Sequence, residues 1–307
     1  MNDFRLRGLV SAPFTPMFSD GTINYDPIEK QAASLIANNV IGAFVCGTTG
    51  ESLSLTVPER KLVVERWKSF VGTDLKLIVH VGHTSVEAAR ELAAHAQANG
   101  ADAIGCMAPC FFKPSRVEDL VDFCAKVASA APATPFYFYQ IPCITGVSIP
   151  MYDFLTCASD KIPTLNGVKF TYEDLMDFAR CVRLEDGRYD MLFGRDEMML
   201  SGLAVGSQGA VGSTFNYTAP VYHKIIKAYN DGDMAMAQEL QEKANAMIAV
   251  LIKHGGSPAT GKAFMKYIGL DCGGVRSPLQ SLTDEQYKKL AADADAVGLR
   301  EYASLLS

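Results

Sequence analysis

The stretch IGAFVCGTTGESLSLTVPER, residues 41–60, contains one complete unit of the fold. Residues 41–47 form an apolar run of strand length, and CGTTGE is a turn rich in Gly and Thr. Thr56-Val57-Pro58-Glu59 then reads as a helix start, with an oxygen-bearing N-cap answered by Glu three residues later and Pro in the first turn. The same start signal, or its Asp variant, recurs at Asp26-Pro27-Ile28-Glu29, Thr84-Ser85-Val86-Glu87 and Ser115-Arg116-Val117-Glu118, so the N-caps stand 30, 28 and 31 residues apart. Between these starts lie further apolar runs, GLVSAP, LKLIVHVG and ADAIGCMAP, and the alternation continues through TPFYFYQIP, NGVKFT, DMLFG and GAVGST. Eight strand-length runs, each followed by a helical pattern, predict parallel strands joined by helical crossovers. Eight such units in about 230 residues match a closed (β/α)8 TIM barrel. A doubly wound open sheet would call for GxGxxG after an early strand, and the chain has none.

Asp231-Gly232-Asp233 breaks the rhythm, and the remainder of the chain carries helical pattern without strands. The expected organisation is a barrel over residues 1–232 and a C-terminal helical extension over 233–307, packed on the barrel.

Composition narrows the class of protein. With 49% hydrophobic and 20% charged residues among 307, the chain has ample side chain for a large core. A net charge of −6 without any Lys/Arg cluster argues against nucleic acid as a partner. The start MNDFRLRGLV lacks a secretory apolar region and no apolar run reaches membrane-spanning length, so no membrane association and a cytoplasmic location are expected. The eight cysteines include no CxxC pair and several sit in apolar runs, which reads as reduced core residues. His80 and His83 have no matching set of carboxylates or thiolates, so no metal site is expected.

The working face of such a barrel is at the C-terminal ends of its strands. Tyr139 in FYQIPCITG ends the fifth run and Lys169 in GVKFT ends the sixth, so the phenol and the amine are expected to face one pocket. Apolar neighbours desolvate an amine and lower its pKa, and the neutral form can attack a carbonyl to give a Schiff base. A snorkelling lysine beside a core tyrosine is the competing reading. In CGTTGE, flanking glycines and the hydroxyls of Thr48 and Thr49 suit a small carboxylate, although a Gly/Thr turn is often only a turn. Asp196 and Glu197 in FGRDEMML read either as helix-dipole partners or as acceptors for a polyol, and Gly212-Ser213 in GAVGST line the same mouth.

Taken together, GTTGE, YxIPxxTG, GVKFT, GxDE and GAxGSTxN occur in this order on successive strand ends, over nearly the whole chain. This set resembles the dihydrodipicolinate synthase/N-acetylneuraminate lyase superfamily of Schiff-base aldolases. The resemblance implies a (β/α)8 barrel with a helical C-terminal extension, a homotetramer, and neither metal nor organic cofactor. It makes Lys169 the imine-forming residue, Tyr139 the proton relay, and Thr48 and Thr49 the pair that holds the pyruvyl carboxylate. Thr171, Gly194, Asp196, Glu197 and Ser213 match positions that hold a sugar-derived tail, with Gly212 in the same backbone turn. The small-molecule partners implied are pyruvate and a 2-oxo sugar acid. The synthase branch carries an arginine where this chain has Ile144, and a PYY segment where it has Pro109-Cys110-Phe111-Phe112. The lyase branch is therefore the better match, with Gln140 departing from both.

Overall fold

The computed structural model describes residues 4–306. The first three residues of the N-terminal segment lie outside the described residues.

Eight strands form a closed parallel barrel in chain order. They are β1 (Gly8–Ser11), β2 (Gly42–Val45), β3 (Lys76–His80), β4 (Ala103–Met107), β5 (Phe136–Gln140), β6 (Leu165–Phe170), β7 (Asp190–Phe193) and β8 (Gly209–Gly212). The barrel shuts where Gly8, Leu9, Val10 and Ser11 pair with Gly209, Ala210, Val211 and Gly212. All four residues of β2 are buried, as expected of a strand covered by helices on one side and barrel interior on the other. Val10, Phe44, Ile78, Met107, Tyr137, Leu192 and Val211 fill that interior, while Leu9, Ala43, Val45 and Val79 point out against the helices. Alternation along each strand produces the two layers.

The crossover helices are α1 (Pro27–Ala37), α2 (Val57–Val71), α3 (Val86–Ala98), α4 (Val117–Ala128), the single turn α5 (Pro142–Thr145), α6 (Met151–Ala158), α7 (Leu175–Arg183), α8 (Met199–Ala204) and α9 (Ala219–Asn230). Of the four helix starts read from the sequence, one forms the full capping box. Thr56 Oγ1 accepts from Glu59 N at 3.3 Å, and Glu59 Oε2 accepts from Thr56 N at 2.8 Å. At α3 the cap is Ser85 rather than Thr84, and it accepts from Ala88 N. Asp26 makes no side-chain cap bond, and the N-cap of α4 is Arg116 rather than Ser115. The start positions were right to within one residue; the bonding was not, because burial of an apolar face supplies most of a helix's stability inside a domain.

After Asp233 the chain is helical in α10 (Met234–Lys253), α11 (Ala259–Tyr267) and α12 (Asp284–Ala296). Met247, Val250, Phe264 and Leu290 of these helices join the same continuous core as the barrel's outer layer. All eight cysteines are free thiols, and five of them are buried. Among the described residues no helix is long and apolar enough to cross a membrane.

Candidate active site

Parallel pairing sets the site. Tyr139 and Lys169 are register partners on adjacent strands, one residue before the end of each. Both face inward, and Lys169 is 4% exposed. Its Nζ stands 4.0 Å from the centre of the Tyr139 ring and 4.1 Å from that of Phe44, so the amine lies between two aromatic faces. Burial outweighs the attraction of Asp196 and brings the Lys169 pKa down to about 7. The snorkelling alternative fails, since the amine stays inside. Tyr139 Oη lies 3.2 Å from Thr48 Oγ1. Burial pushes the phenol up to about 12, with the Thr48 hydrogen bond opposing, so Tyr139 is neutral near pH 7.

Above this pair opens a cavity of about 330 Å³, and all ten side chains or turns expected at the site line it: Thr48, Thr49, Tyr139, Lys169, Thr171, Gly194, Asp196, Glu197, Gly212 and Ser213. Thr171 Oγ1 is buried there and has no hydrogen-bond partner among the described residues.

Asp196 does more than complement a helix dipole. It begins a single 3₁₀ turn after β7, but its carboxylate crosses to the end of β8, where Oδ2 accepts from Thr214 Oγ1 at 2.6 Å and Thr214 N at 3.0 Å. Gly212 makes room for it, because a Cβ at that position would sit 2.3 Å from Asp196 Oδ1. Burial raises the Asp196 pKa to about 6 against those two hydrogen bonds. Glu197 reaches the mouth and accepts from Arg195 Nη1 at 3.1 Å, while Arg195 Nη2 bonds Glu173.

Other lining residues were not anticipated. Arg195 bridges Glu197 and Glu173 at the mouth, and Ile248, Leu251 and Ile252 of α10 supply an apolar wall. Gln241 of α10 anchors the same corner, donating to Asp196 O and accepting from Leu200 N. A long helix far along the chain gives no local signal that its last turns cover the barrel mouth. Gln140, by contrast, is buried but lies outside the cavity lining, since Tyr139 before it takes the inward direction. Ile144 is exposed on α5 and also outside the lining. Phe111 and Phe112 are exposed and pack edge to face, with ring centres 4.9 Å apart. Among the described residues no three His, Cys, Asp or Glu side chains gather to hold a metal ion. His80 is buried behind Phe44 and Tyr139, bonded through Nδ1 to Ser52 Oγ and Cys46 O at 3.0 Å each.

The sequence profile of the dihydrodipicolinate synthetase family matches residues 5–297. The chain belongs to that family. Within the dihydrodipicolinate synthetase family, the N-acetylneuraminate lyase of Gallus gallus is 41% identical over 297 residues, covering 95% of this chain and 96% of that protein. A solved Proteus mirabilis N-acetylneuraminate lyase superposes with a TM-score of 0.94 at 44% identity, covering 96% of this chain and all of the other. A solved dihydrodipicolinate synthase from Cyanidioschyzon merolae gives 0.88 at 26% identity, covering 96% and 99%. The fold is thus shared across the family, while sequence likeness favours the lyases.

Proposed function

We propose that this chain is a Schiff-base aldolase that cleaves N-acetylneuraminate reversibly to N-acetylmannosamine and pyruvate. The observation that carries the reading is the Lys169 amine, buried between two rings at the floor of the cavity and lowered to about 7. Lost hydration costs the ammonium more there than the two ring faces and Asp196 return, so the neutral amine, a nucleophile, is available near physiological pH. The likeness to lyases over the whole chain supports the substrate.

In this reading Lys169 Nζ adds to the C2 carbonyl of the open-chain sugar acid and water leaves, giving the imine. Thr48 and Thr49 hold the adjacent carboxylate. The C4 hydroxyl gives up its proton, the C3–C4 bonding pair becomes the enamine double bond, and the iminium nitrogen accepts the displaced pair. Tyr139, neutral and hydrogen-bonded to Thr48, relays that proton with the substrate's own carboxylate as its neighbour. The sugar aldehyde departs, the enamine takes a proton at C3, and water releases pyruvate. Thr171, Ser213, Asp196 and Glu197 face the polyol portion, beside the backbone turns at Gly194 and Gly212. A homotetramer working in the cytoplasm is the assembly and compartment we attach to this reading, on the family resemblance and the composition.

The test is pyruvate release from a panel of 2-oxo sugar acids, with aspartate semialdehyde condensation as the control, joined to borohydride trapping with pyruvate. N-acetylneuraminate should be cleaved, and a reduced pyruvyl group should appear on the peptide carrying Lys169 and vanish in Lys169→Ala. Cleavage of a different sugar acid alone would favour a related aldolase or dehydratase. Trapping at another lysine would defeat the mechanism.

A further inference from the structure

The turn that carries Thr48 and Thr49 is held from outside the barrel. Cys46 and Glu51 bracket it with φ of 57° and 62°, a left-handed region that residues with side chains occupy only at a cost. Such a conformation persists where surrounding contacts over-determine it, and here they come from the barrel and from the C-terminal helices. Within the turn, Glu51 N donates to Thr48 O at 3.0 Å and Ser52 N to Gly47 O at 3.2 Å, while Thr15 Oγ1 donates to Gly50 O at 2.8 Å. The first two bonds shape the turn locally, while Thr15, Tyr139 on Thr48, and His80 on Cys46 O and Ser52 Oγ join it to the barrel.

Its link to the C-terminal helices is the Glu51 side chain, which is wholly buried. The carboxylate accepts from Lys262 Nζ at 2.7 Å and from Arg276 N at 2.8 Å. Lys262 lies on α11, 2% exposed, and also donates to Gly274 O. Gly261 beside it permits this reach: a Cβ there would stand 2.4 Å from the Phe14 ring, so a larger residue would lever the helix away. The Arg276 side chain fastens the far end of the same loop, donating to both Glu59 carboxylate oxygens at 2.8 and 2.9 Å and to Ser54 O at 2.8 Å. Neither Lys262 nor Glu51 lines the cavity. Any influence they have on substrate passes through the turn.

Burying both members of an ion pair is costly, and a hydrophobic pair would often be as stable. A direction-specific link is what this pair adds: its anion sits three residues after Thr48 and two after Thr49, on the segment that faces Lys169.

We propose that the Glu51–Lys262 pair is a positioning device for the Thr48–Thr49 turn, so that a lysine outside the barrel sets the affinity of the site for the pyruvyl carboxylate. This rests on the function proposed above.

The experiment measures the pyruvate concentration that half-saturates borohydride trapping, the trapping rate at saturation, and the melting midpoint, for wild type, Lys262→Met and Lys262→Arg. Lys262→Met should raise half-saturation about tenfold or more while the saturated rate stays within about twofold, the pattern of lost binding rather than lost chemistry. Lys262→Arg, which keeps the charge, should recover most of the affinity. A folded Lys262→Met protein with unchanged half-saturation, whatever its melting midpoint, overturns the proposal. Where that variant does not fold, Glu51→Asp keeps the charge but shortens the reach by one methylene. The same rise is expected, and unchanged half-saturation again overturns the idea. Absence of trapping at Lys169 in the wild type would instead defeat the function on which the proposal rests.

Discussion

Tyr137 and Tyr139 lie two residues apart on β5, both inside the barrel and both buried, yet their surroundings differ in kind. Tyr137 points into the lower half. Its Oη donates to Asp190 Oδ2 at 2.6 Å and accepts from Asn166 Nδ2 at 2.8 Å, and the same Asp190 oxygen takes Leu6 N at 2.9 Å. Tyr139 points at the cavity, hydrogen-bonds Thr48, and turns its ring face to Lys169. A satisfied buried network fixes structure, whereas an open valence beside an amine is available for chemistry. Residue type alone distinguishes nothing here; what the hydroxyl still has free does.

That contrast can be broken directly. Tyr139→Phe should lower kcat about 10²–10⁴-fold, the range for a lost proton relay, with little change in melting midpoint. Tyr137→Phe should do the reverse: it strips Asp190 and Asn166 of a buried partner, costing about 1–3 kcal/mol of stability by denaturant unfolding while kcat is preserved. Equal losses of activity in both variants would erase the distinction.

A smaller effect sharpens the proposed division between a pyruvyl floor and a sugar-facing mouth. Glu197→Gln should weaken cleavage of N-acetylneuraminate about ten- to a hundred-fold in kcat/KM and leave pyruvate trapping near wild type. Asp196→Asn is the less clean probe, because Asp196 also fastens Thr214 at the end of β8. Should trapping fall as far as cleavage in Glu197→Gln, the acid supports the lysine and does not read the sugar.

The smallest effect is a difference between two pH profiles. In the proposed mechanism the nucleophile is the neutral amine, so trapping at saturating pyruvate should be flat above about pH 7 and drop about tenfold per unit below it. Cleavage should carry that titration plus a second near pH 6, where Asp196 gains a proton and loses capacity as an acceptor. Lys169 and Asp196 act on each other, so the two steps belong to the pair. Superimposable profiles for trapping and cleavage would remove Asp196 from sugar recognition.

Much of this was legible in the sequence because it is local. Apolar runs at a steady period are a direct record of buried parallel strands, and the end of each run marks the working face. Tyr139 and Lys169 could therefore be placed in one pocket from their order along the chain. The inward direction of Tyr139 also dictates that Gln140 points out, so the departure at that position lies away from the cavity. What escaped depends on separation along the chain. Glu51 was visible in GTTGE, but its partner Lys262 is 211 residues away in a segment that reads as an amphipathic helix. Arg195 stood next to Asp196 and Glu197 without a local reason to choose it. Capping was legible as position and not as bonding, since Asp26 and Ser115 offer the right oxygen and the chain does not use it.

Beneath Lys169 the barrel is packed solid by Phe44, Ile78, Met107, Tyr137, Leu192 and Val211. The cavity is thus closed from below and opens at the strand ends. In the proposed mechanism, a substrate anchored at its innermost carbon and cut further out surrenders its fragments in sequence: the sugar half blocks the exit until it has gone, and the tethered three-carbon half is last through the door. Run backwards, the same corridor admits pyruvate first and the aldehyde second. The order of traffic is imposed by the plug of side chains below the amine, residues that never touch the bond being made or broken.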